Sequence, residues 1–291
     1  MSPKLPLHLD LWQESLHWQP SESQQILFEQ LYKQVLIGNQ QLNLTRITEP
    51  DDFWEKHLWD SLSGLAPWLS DGAEEERPDE LASDHREALE EALEEEVESA
   101  EPEITDFQAS DLPITEVAEP IQIIDIGTGG GFPGVPAAIA LSHSLPDISL
   151  TLVDSTRKKI QFLQVLCQTL SIPANCLAIR AETLGQDAAH REQYDLALIR
   201  AVGKTATCAE YVLPLIKLGG QAVIYRGQWS VYDTEAIIPV IELLGGELTD
   251  LQEWKTPITG GERHCLFIHK VQPTPPDLPR AIGVPNKTPL T

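Results

Sequence analysis

Between Ser21 and Gly38, the apolar residues Ile26, Leu27, Leu31, Val35 and Leu36 recur three to five residues apart. This spacing predicts an amphipathic helix, capped by Ser21 or Ser23 and stopped by Gly38 and Asn39. A second helix is predicted from about Pro50 to Leu69, with Phe53, Trp54, His57, Leu58, Ser61 and Leu65 on adjoining faces. Asn43-Leu44-Thr45-Arg46 joins the two, so residues 1–70 read as a small helical lobe. From Ile121 the pattern changes. Strands are predicted at Ile121–Ile126, Ser149–Val153, Cys176–Arg180, Tyr194–Ile199 and Gln221–Tyr225. Helices are predicted between them at Pro133–Ser142, Thr156–Leu170 and Lys204–Ile216, and after them at Val231–Leu244. Two further strands, near Glu247–Trp254 and His264–His269, have no helix between them, which predicts an antiparallel hairpin at a sheet edge. Over residues 121–271 this alternation predicts an α/β fold, a mostly parallel sheet with helices on both faces. Residues 272–291 are Pro-rich and are expected to form a loosely ordered tail.

Composition changes the picture in one place. The chain has 291 residues and a formal charge of −25, and residues 71–120 alone hold 20 acidic and 2 basic side chains. The rest carries only −7. A thin apolar stripe at Leu89, Leu93 and Val97 could form a helix within Asp84–Glu98, but it buries little and its like charges repel. Residues 71–120 therefore read as a solvated, disordered acidic insertion, with a partner-binding arm as the alternative. Four cysteines lie far apart with no CxxC pair, which argues against zinc and against a disulfide framework. No run of about 18 apolar residues exists, so no membrane span is expected. Met1–Asp10 lacks the pattern of a secretory signal, so a cytoplasmic location is expected.

Candidate chemistry centres on Asp125-Ile126-Gly127-Thr128-Gly129-Gly130-Gly131-Phe132-Pro133-Gly134, which follows a strand and opens a helix. Glycines there let the chain turn sharply and let a ligand approach the backbone. Open α/β sheets bind small molecules at that end. Gly129, Gly131 and Gly134 fit GxGxxG, and Asp154 follows at the distance a dinucleotide fingerprint asks, so a nicotinamide-dependent oxidoreductase is one reading. Asp125 favours another. A carboxylate before the first glycine repels a pyrophosphate but suits an ammonium, which points to S-adenosylmethionine. Asp154 can accept from ribose hydroxyls with either cofactor.

The runs DIGTGGGFPGVPAAIA (125–140), LVDSTRKKIQFL (152–163), RAE (180–182) and IRAV (199–202) closely resemble the RsmG (GidB) family of small-subunit ribosomal RNA methyltransferases. QLNLTRIT (41–48), KHLWDSL (56–62), GGERHCLFI (260–268) and PRAIGVPNKTPL (279–290) extend the resemblance outward. Residues 71–120 depart from it, since family members connect the lobe to the first strand by a short loop. Tyr225-Arg226-Gly227 departs more mildly, Arg standing where relatives often have Lys.

The resemblance implies a class I S-adenosylmethionine-dependent methyltransferase, Rossmann-like, with a mostly parallel seven-stranded sheet and an N-terminal helical lobe. It implies methylation of guanine N7 in 16S ribosomal RNA within the small ribosomal subunit, with no metal. It sets the cofactor against Gly127, Phe132, Asp154, Ser155, Thr156, Ala181, Glu182 and Arg200, and the residue reading adds Asp125 and Gly129. Glu182 follows the third strand, a position suited to the adenine amino group. A helix N-cap is an equal reading of Thr156.

Guanine N7 keeps a free lone pair at neutral pH, so the reaction needs alignment and no general base. The chain has no Asn/Asp-Pro-Pro-aromatic motif of exocyclic-amine methyltransferases and no Pro-Cys pair for covalent cytosine chemistry. Candidate substrate-side residues are Asn43, Arg46, His57, Asp60, Arg200, Arg226 and Arg263, of which Asn43, His57, Asp60 and Arg200 are the expected catalytic set. His57 and Asp60 share a helix face. They equally read as a structural hydrogen bond fixing the lobe. The lobe tryptophans are expected to be packing residues. A methyltransferase acting on another substrate remains a further alternative.

Overall fold

The computed structural model describes residues 3–69, 120–142 and 147–291. The expectations for the acidic segment, Pro120 apart, lie outside the described residues. Seven strands form one sheet: β1 (Ile121–Ile126), β2 (Ile148–Val153), β3 (Ala174–Leu177), β4 (Tyr194–Arg200), β5 (Ile216–Arg226), β6 (Gly246–Lys255) and β7 (Glu262–Lys270). Their order is β3-β2-β1-β4-β5-β7-β6. The first five run parallel, and β7 lies antiparallel between β5 and β6. The predicted hairpin is therefore present, with its second strand inserted inward.

Alternation along the strands divides the core into two layers. Ile123, Leu150, Leu152, Leu196, Leu198, Val223 and Phe267 face one side. Ile124, Ile126, Val153, Ala197, Ile199, Ile224, Leu266 and Ile268 face the other. The first layer is shared with the N-terminal helices α1 (Leu9–Leu16), α2 (Glu22–Leu42), α3 (Pro50–Phe53), α4 (Asp60–Ser63) and α5 (Ala66–Leu69). It also holds α6 (Gly134–Leu141) and α7 (Arg157–Thr169). The lobe and residues 120–291 thus form one unit. Trp12, Trp18, Trp54 and Trp59 are buried in it, and Trp68 packs against its margin. The opposite layer is covered by α8 (Ala181–Gln186), α9 (Thr205–Val212) and α10 (Val231–Leu243).

Several elements differ from the sequence reading. Ser21 caps α2 in a capping box with Gln24, but the helix does not stop at Gly38. A Cβ on Gly38 would lie 2.4 Å from the Phe162 ring, so that glycine admits a side chain of α7, and α2 runs on to Leu42. The single helix expected over 50–69 is broken. A π-helical segment, Trp54–Trp59, separates α3 from α4, and a turn precedes α5. The third strand ends at Leu177, leaving Ile179 and Arg180 outside the ladder. β5 starts at Ile216, five residues before the predicted strand, and takes in Gly219-Gly220, where a Cβ on Gly220 would lie 2.9 Å from the Asp195 carbonyl oxygen of β4. Helices α1 and α8 were not anticipated.

The largest correction concerns residues 272–291, which are pinned rather than loose. Arg191 donates to the carbonyls of Thr274, Pro275 and Leu278. Gln186 donates to Pro279 O, and Glu210 accepts three bonds from Arg280. Lys270, fully buried, donates to Thr274 Oγ1 at 2.5 Å and to Leu213 O. The segment ends in a short helix α11 (Val284–Lys287), where Pro285 O accepts from Thr207 Oγ1. Proline-rich composition removes backbone donors but leaves carbonyl acceptors, and these are what the protein uses. Among the described residues, no helix is long and apolar enough to cross a membrane, and no cluster of metal-ligating side chains exists.

Candidate functional site

At the carboxyl end of β1 the chain turns through Gly127 at φ +73° and Gly131 at φ +102°. Both are left-handed conformations that favour glycine. A Cβ on Gly127 would lie 2.4 Å from Val202 Cγ2, so the absence of a side chain there keeps the loop against the segment after β4. The loop closes on itself and on β2. Gly127 and Thr128 N–H donate to Val153 O, and Gly131 and Phe132 N–H donate to Thr128 O. Asp154, one residue past β2, accepts from Gly129 N–H at 3.2 Å, Thr156 N–H at 2.7 Å and Lys159 Nζ at 3.4 Å.

These elements border a cleft of about 510 Å³, its mouth included. Gly127, Asp154, Ser155, Ala181 and Glu182, five of the expected cofactor residues, line it together. Ile126 and Val153 from the strand ends, and then Ile179, Arg180, Val202, Tyr211 and Asn286, complete the walls. Sequence reasoning had not assigned these last five. Val202 and Asn286 lay in the family-like runs, whereas Ile179 and Tyr211 carried no signal beyond apolar periodicity. Glu182 is buried, and burial alone would raise its pKa. Bonds from Arg180, Gly283 N–H and the Tyr211 hydroxyl outweigh that and hold it below the usual carboxylate range.

The remaining cofactor candidates stand apart from the lining. Gly129 is tied to Asp154 behind the loop. Thr156 occupies the N-cap position of α7, but its hydroxyl makes no cap bond. Asp125 is fully buried beneath the loop, one oxygen accepting from Gly134 N–H at 2.8 Å and the other without a hydrogen-bond partner among the described residues. Burial pushes its carboxyl up to about 6, against the pull of Thr128 and Gly134. In this structure it braces the loop rather than facing the cleft.

Phe132 and Arg200 belong to a second cluster beside the cleft. The His57 ring stacks on Phe132 at 4.3 Å between centroids, and the Arg200 guanidinium lies 6.0 Å from the same ring. His57 Nε2 bonds the Thr45 hydroxyl at 2.8 Å, and its Nδ1 is buried without a partner among the described residues. Burial, then Arg200, push its pKa down to about 3, so the ring is neutral at physiological pH. Asp60 does not bond His57. It accepts from Arg200 at 2.6 Å and from Arg263 at 2.8 Å, joining the ends of β4 and β7 to the lobe.

Asn43 is exposed, in a left-handed conformation at the end of α2, and no described residue bonds its side chain. Arg46 is exposed on the same connector. Arg226 braces the loop after β4, donating to Gly203 O at 2.7 Å and to Cys208 Sγ. The structure thus collects His57, Asp60, Arg200 and Arg263 and leaves Asn43 and Arg46 on the rim.

The loop geometry also bears on ligand class. Five of its backbone N–H groups, from Gly127, Thr128, Gly129, Gly131 and Phe132, already donate to protein oxygens. A pyrophosphate cradle needs such groups free.

The family model for rRNA small subunit methyltransferase G matches residues 24–73 and 101–265. Proteins named "Ribosomal RNA small subunit methyltransferase G" are 45% identical in Trichormus variabilis and 44% identical in Synechococcus elongatus, each over 291 residues and 100% of both chains. The Trichodesmium erythraeum protein of that name is 41% identical over 98% of this chain and 94% of its own. The family match leaves out residues 74–100, within the acidic segment. Among solved structures, a Burkholderia thailandensis 1,6-didemethyltoxoflavin-N1-methyltransferase aligns at TM-score 0.40 and 16% identity over 53% of this chain and 72% of that one, too distant to carry argument.

Proposed function

We propose, because the chain belongs to the GidB family of rRNA small subunit methyltransferases G, that it transfers a methyl group from S-adenosylmethionine to N7 of a guanine in 16S ribosomal RNA. Its substrate is the small ribosomal subunit and its place of work the cytoplasm. One observation carries the reading. In a chain of this family, the glycine loop, Asp154 and the Ile179–Glu182 turn enclose a single cleft, next to the cluster of Phe132, His57, Asp60 and Arg200.

The residues present fit the cofactor. Gly127 lines the cleft with backbone alone, and a Cβ there would displace Val202 from the same wall. Asp154 offers spare carboxylate lone pairs to ribose hydroxyls. Ile179, Val202 and Tyr211 form an apolar wall for a flat base. The loop's committed N–H groups suit a ligand without phosphates. When bound, S-adenosylmethionine supplies an electrophilic methyl carbon on a sulfonium.

The chain's own part in the reaction is placement. His57 is neutral and buried, so it shuttles no proton and instead supports the face of Phe132. Asp60 fixes Arg200 and Arg263 where the target nucleotide enters. Alignment of this kind accounts for roughly 7–11 kcal/mol of barrier lowering in well-oriented reactions. Guanine N7 needs nothing further to act as nucleophile.

The test is transfer of labelled methyl from S-adenosylmethionine to small-subunit particles, with the modified base mapped by mass. One N7-methylated guanine per particle is expected, and none with the Gly127→Asp variant. Binding of NADH without binding of S-adenosylmethionine would overturn the reading.

A further inference from the structure

We propose that Asn286, carried on the pinned C-terminal segment, recognises the adenine of the methyl donor. The inference rests on the cofactor reading above and deepens it. Ile179, Val202 and Tyr211 are among the cleft's apolar lining, with Ile126, Val153 and Ala181. Tyr211 bonds Glu182 and Glu182 bonds Arg180, so a flat base against Tyr211 lies next to these side chains, and Asn286, packed beside Gly203, lines the same cleft.

Two of the three are already committed. Glu182 Oε1 accepts from Arg180 Nη2 at 3.1 Å, Tyr211 OH at 3.0 Å and Gly283 N at 2.9 Å, and Oε2 accepts from Arg180 Nε at 3.3 Å. Glu182 Oε1 is thus spent on holding the chain, and Oε2 lies against the Arg180 guanidinium. Asn286 differs. Its amide oxygen lies beside Gly203, 3.6 Å from where a Cβ on that glycine would be, and no described residue bonds the amide. An asparagine amide presents one acceptor and one donor in a plane, the set that pairs with the N6 amine and N7 of adenine. The role of Glu182 is then positioning: through Gly283 N–H it fixes the turn that delivers Asn286.

The anchoring supports the same conclusion. An exposed amide discriminates only if its backbone is held, because a mobile one spends its bond energy on being ordered. Here Thr207 bonds Pro285 O at 2.9 Å, next to Asn286, and the fully buried Glu210 takes the Arg280 guanidinium at 2.7 and 2.9 Å.

The test is calorimetric binding of two probes, S-adenosylhomocysteine and S-inosylhomocysteine, which carries an oxygen in place of the adenine amine. Wild type is expected to prefer the adenosyl probe by about tenfold. Asn286→Ala is expected to lose about that factor on the adenosyl probe and to bind the two nearly alike. Its melting temperature should be unchanged, since the side chain is exposed and unbonded. Arg280→Ala, which loosens the segment, is expected to weaken the adenosyl probe. An Asn286→Ala variant that keeps both affinity and preference would overturn the assignment. So would unchanged binding in Arg280→Ala. If wild type binds neither probe, the cofactor reading itself fails.

Discussion

Asp125 and His57 are both buried beside the site, and burial moves them in opposite directions. The Asp125 carboxyl is raised from 3.8 to about 6, so the folded protein keeps that proton where the unfolded chain has lost it. Its stabilising contribution is full below pH 3.8 and is lost as pH rises through about 6, an effect of roughly 3 kcal/mol. His57 is lowered from 6.5 to about 3, so its contribution is full above pH 6.5 and is lost as pH falls toward 3. Between pH 4 and 6 the two slopes oppose each other. Asp125→Asn is therefore expected to gain melting temperature on wild type as pH rises from 4 to 7. His57→Phe keeps the aromatic stack on Phe132, and its melting temperature is expected to fall less than wild type's as pH drops from 6.5 to 4. Thermal melts across that range check both, and pH-independent differences would refute them. Sequence located both residues, because a carboxylate before a glycine loop and a histidine on a helix face are visible in one dimension. It set Asp125 against an ammonium because burial beneath the loop depends on how α6 returns over β1, which no local pattern records.

The element that brings the lobe to the site is the π-helical segment Trp54–Trp59. An extra residue per turn rotates the helix beyond it, and such bulges concentrate at functional places. The uniform apolar spacing over 50–69 read as one helix, and the local change of pitch is set by tertiary contacts. Glu55 accepts from Ile258 and Thr259 N–H in the β6–β7 turn, and Asp60 holds the two arginines. Removing Asp60 leaves both guanidiniums without their shared acceptor. Asp60→Ala is expected to lose roughly 3 kcal/mol in denaturant titration, because it breaks a largely buried ion pair. Methylation of particles is expected to fall about a hundredfold through misplacement while S-adenosylhomocysteine affinity stays nearly unchanged. An equal loss in both would place Asp60 in cofactor binding instead. Strands β1, β2 and β4 were legible to within a residue. Helix α8 was not, since six residues are too few for periodicity, and the start of β5 was hidden by a glycine pair that looks like a turn and serves close strand approach.

At the scale of the whole molecule, the seven-stranded α/β plan with its lobe emerged from alternating patterns, and the family from motifs spread along the chain. The role of the C-terminal segment did not, because its anchors are carbonyls gathered by Arg191 from residues more than eighty positions away. Removing residues 272–291 would take Thr274 from buried Lys270 and leave buried Glu210 without its Arg280 partner. The melting temperature of that variant is expected to drop by about 10 °C in calorimetry. S-adenosylhomocysteine affinity should drop with it, and a truncated protein that melts like wild type would contradict the pinning of this segment.

The two guanidiniums that meet at Asp60 already own an anion. Under the proposed function, a nucleic-acid phosphate meeting them would share them with that carboxylate rather than displace a free counterion. The net release of small ions is correspondingly small. Binding through Arg200 and Arg263 would therefore weaken less with added electrolyte than the slope of roughly 0.9 per contact seen for open basic surfaces. A strongly anionic protein can in this way hold a polyanion without depending on dilute conditions.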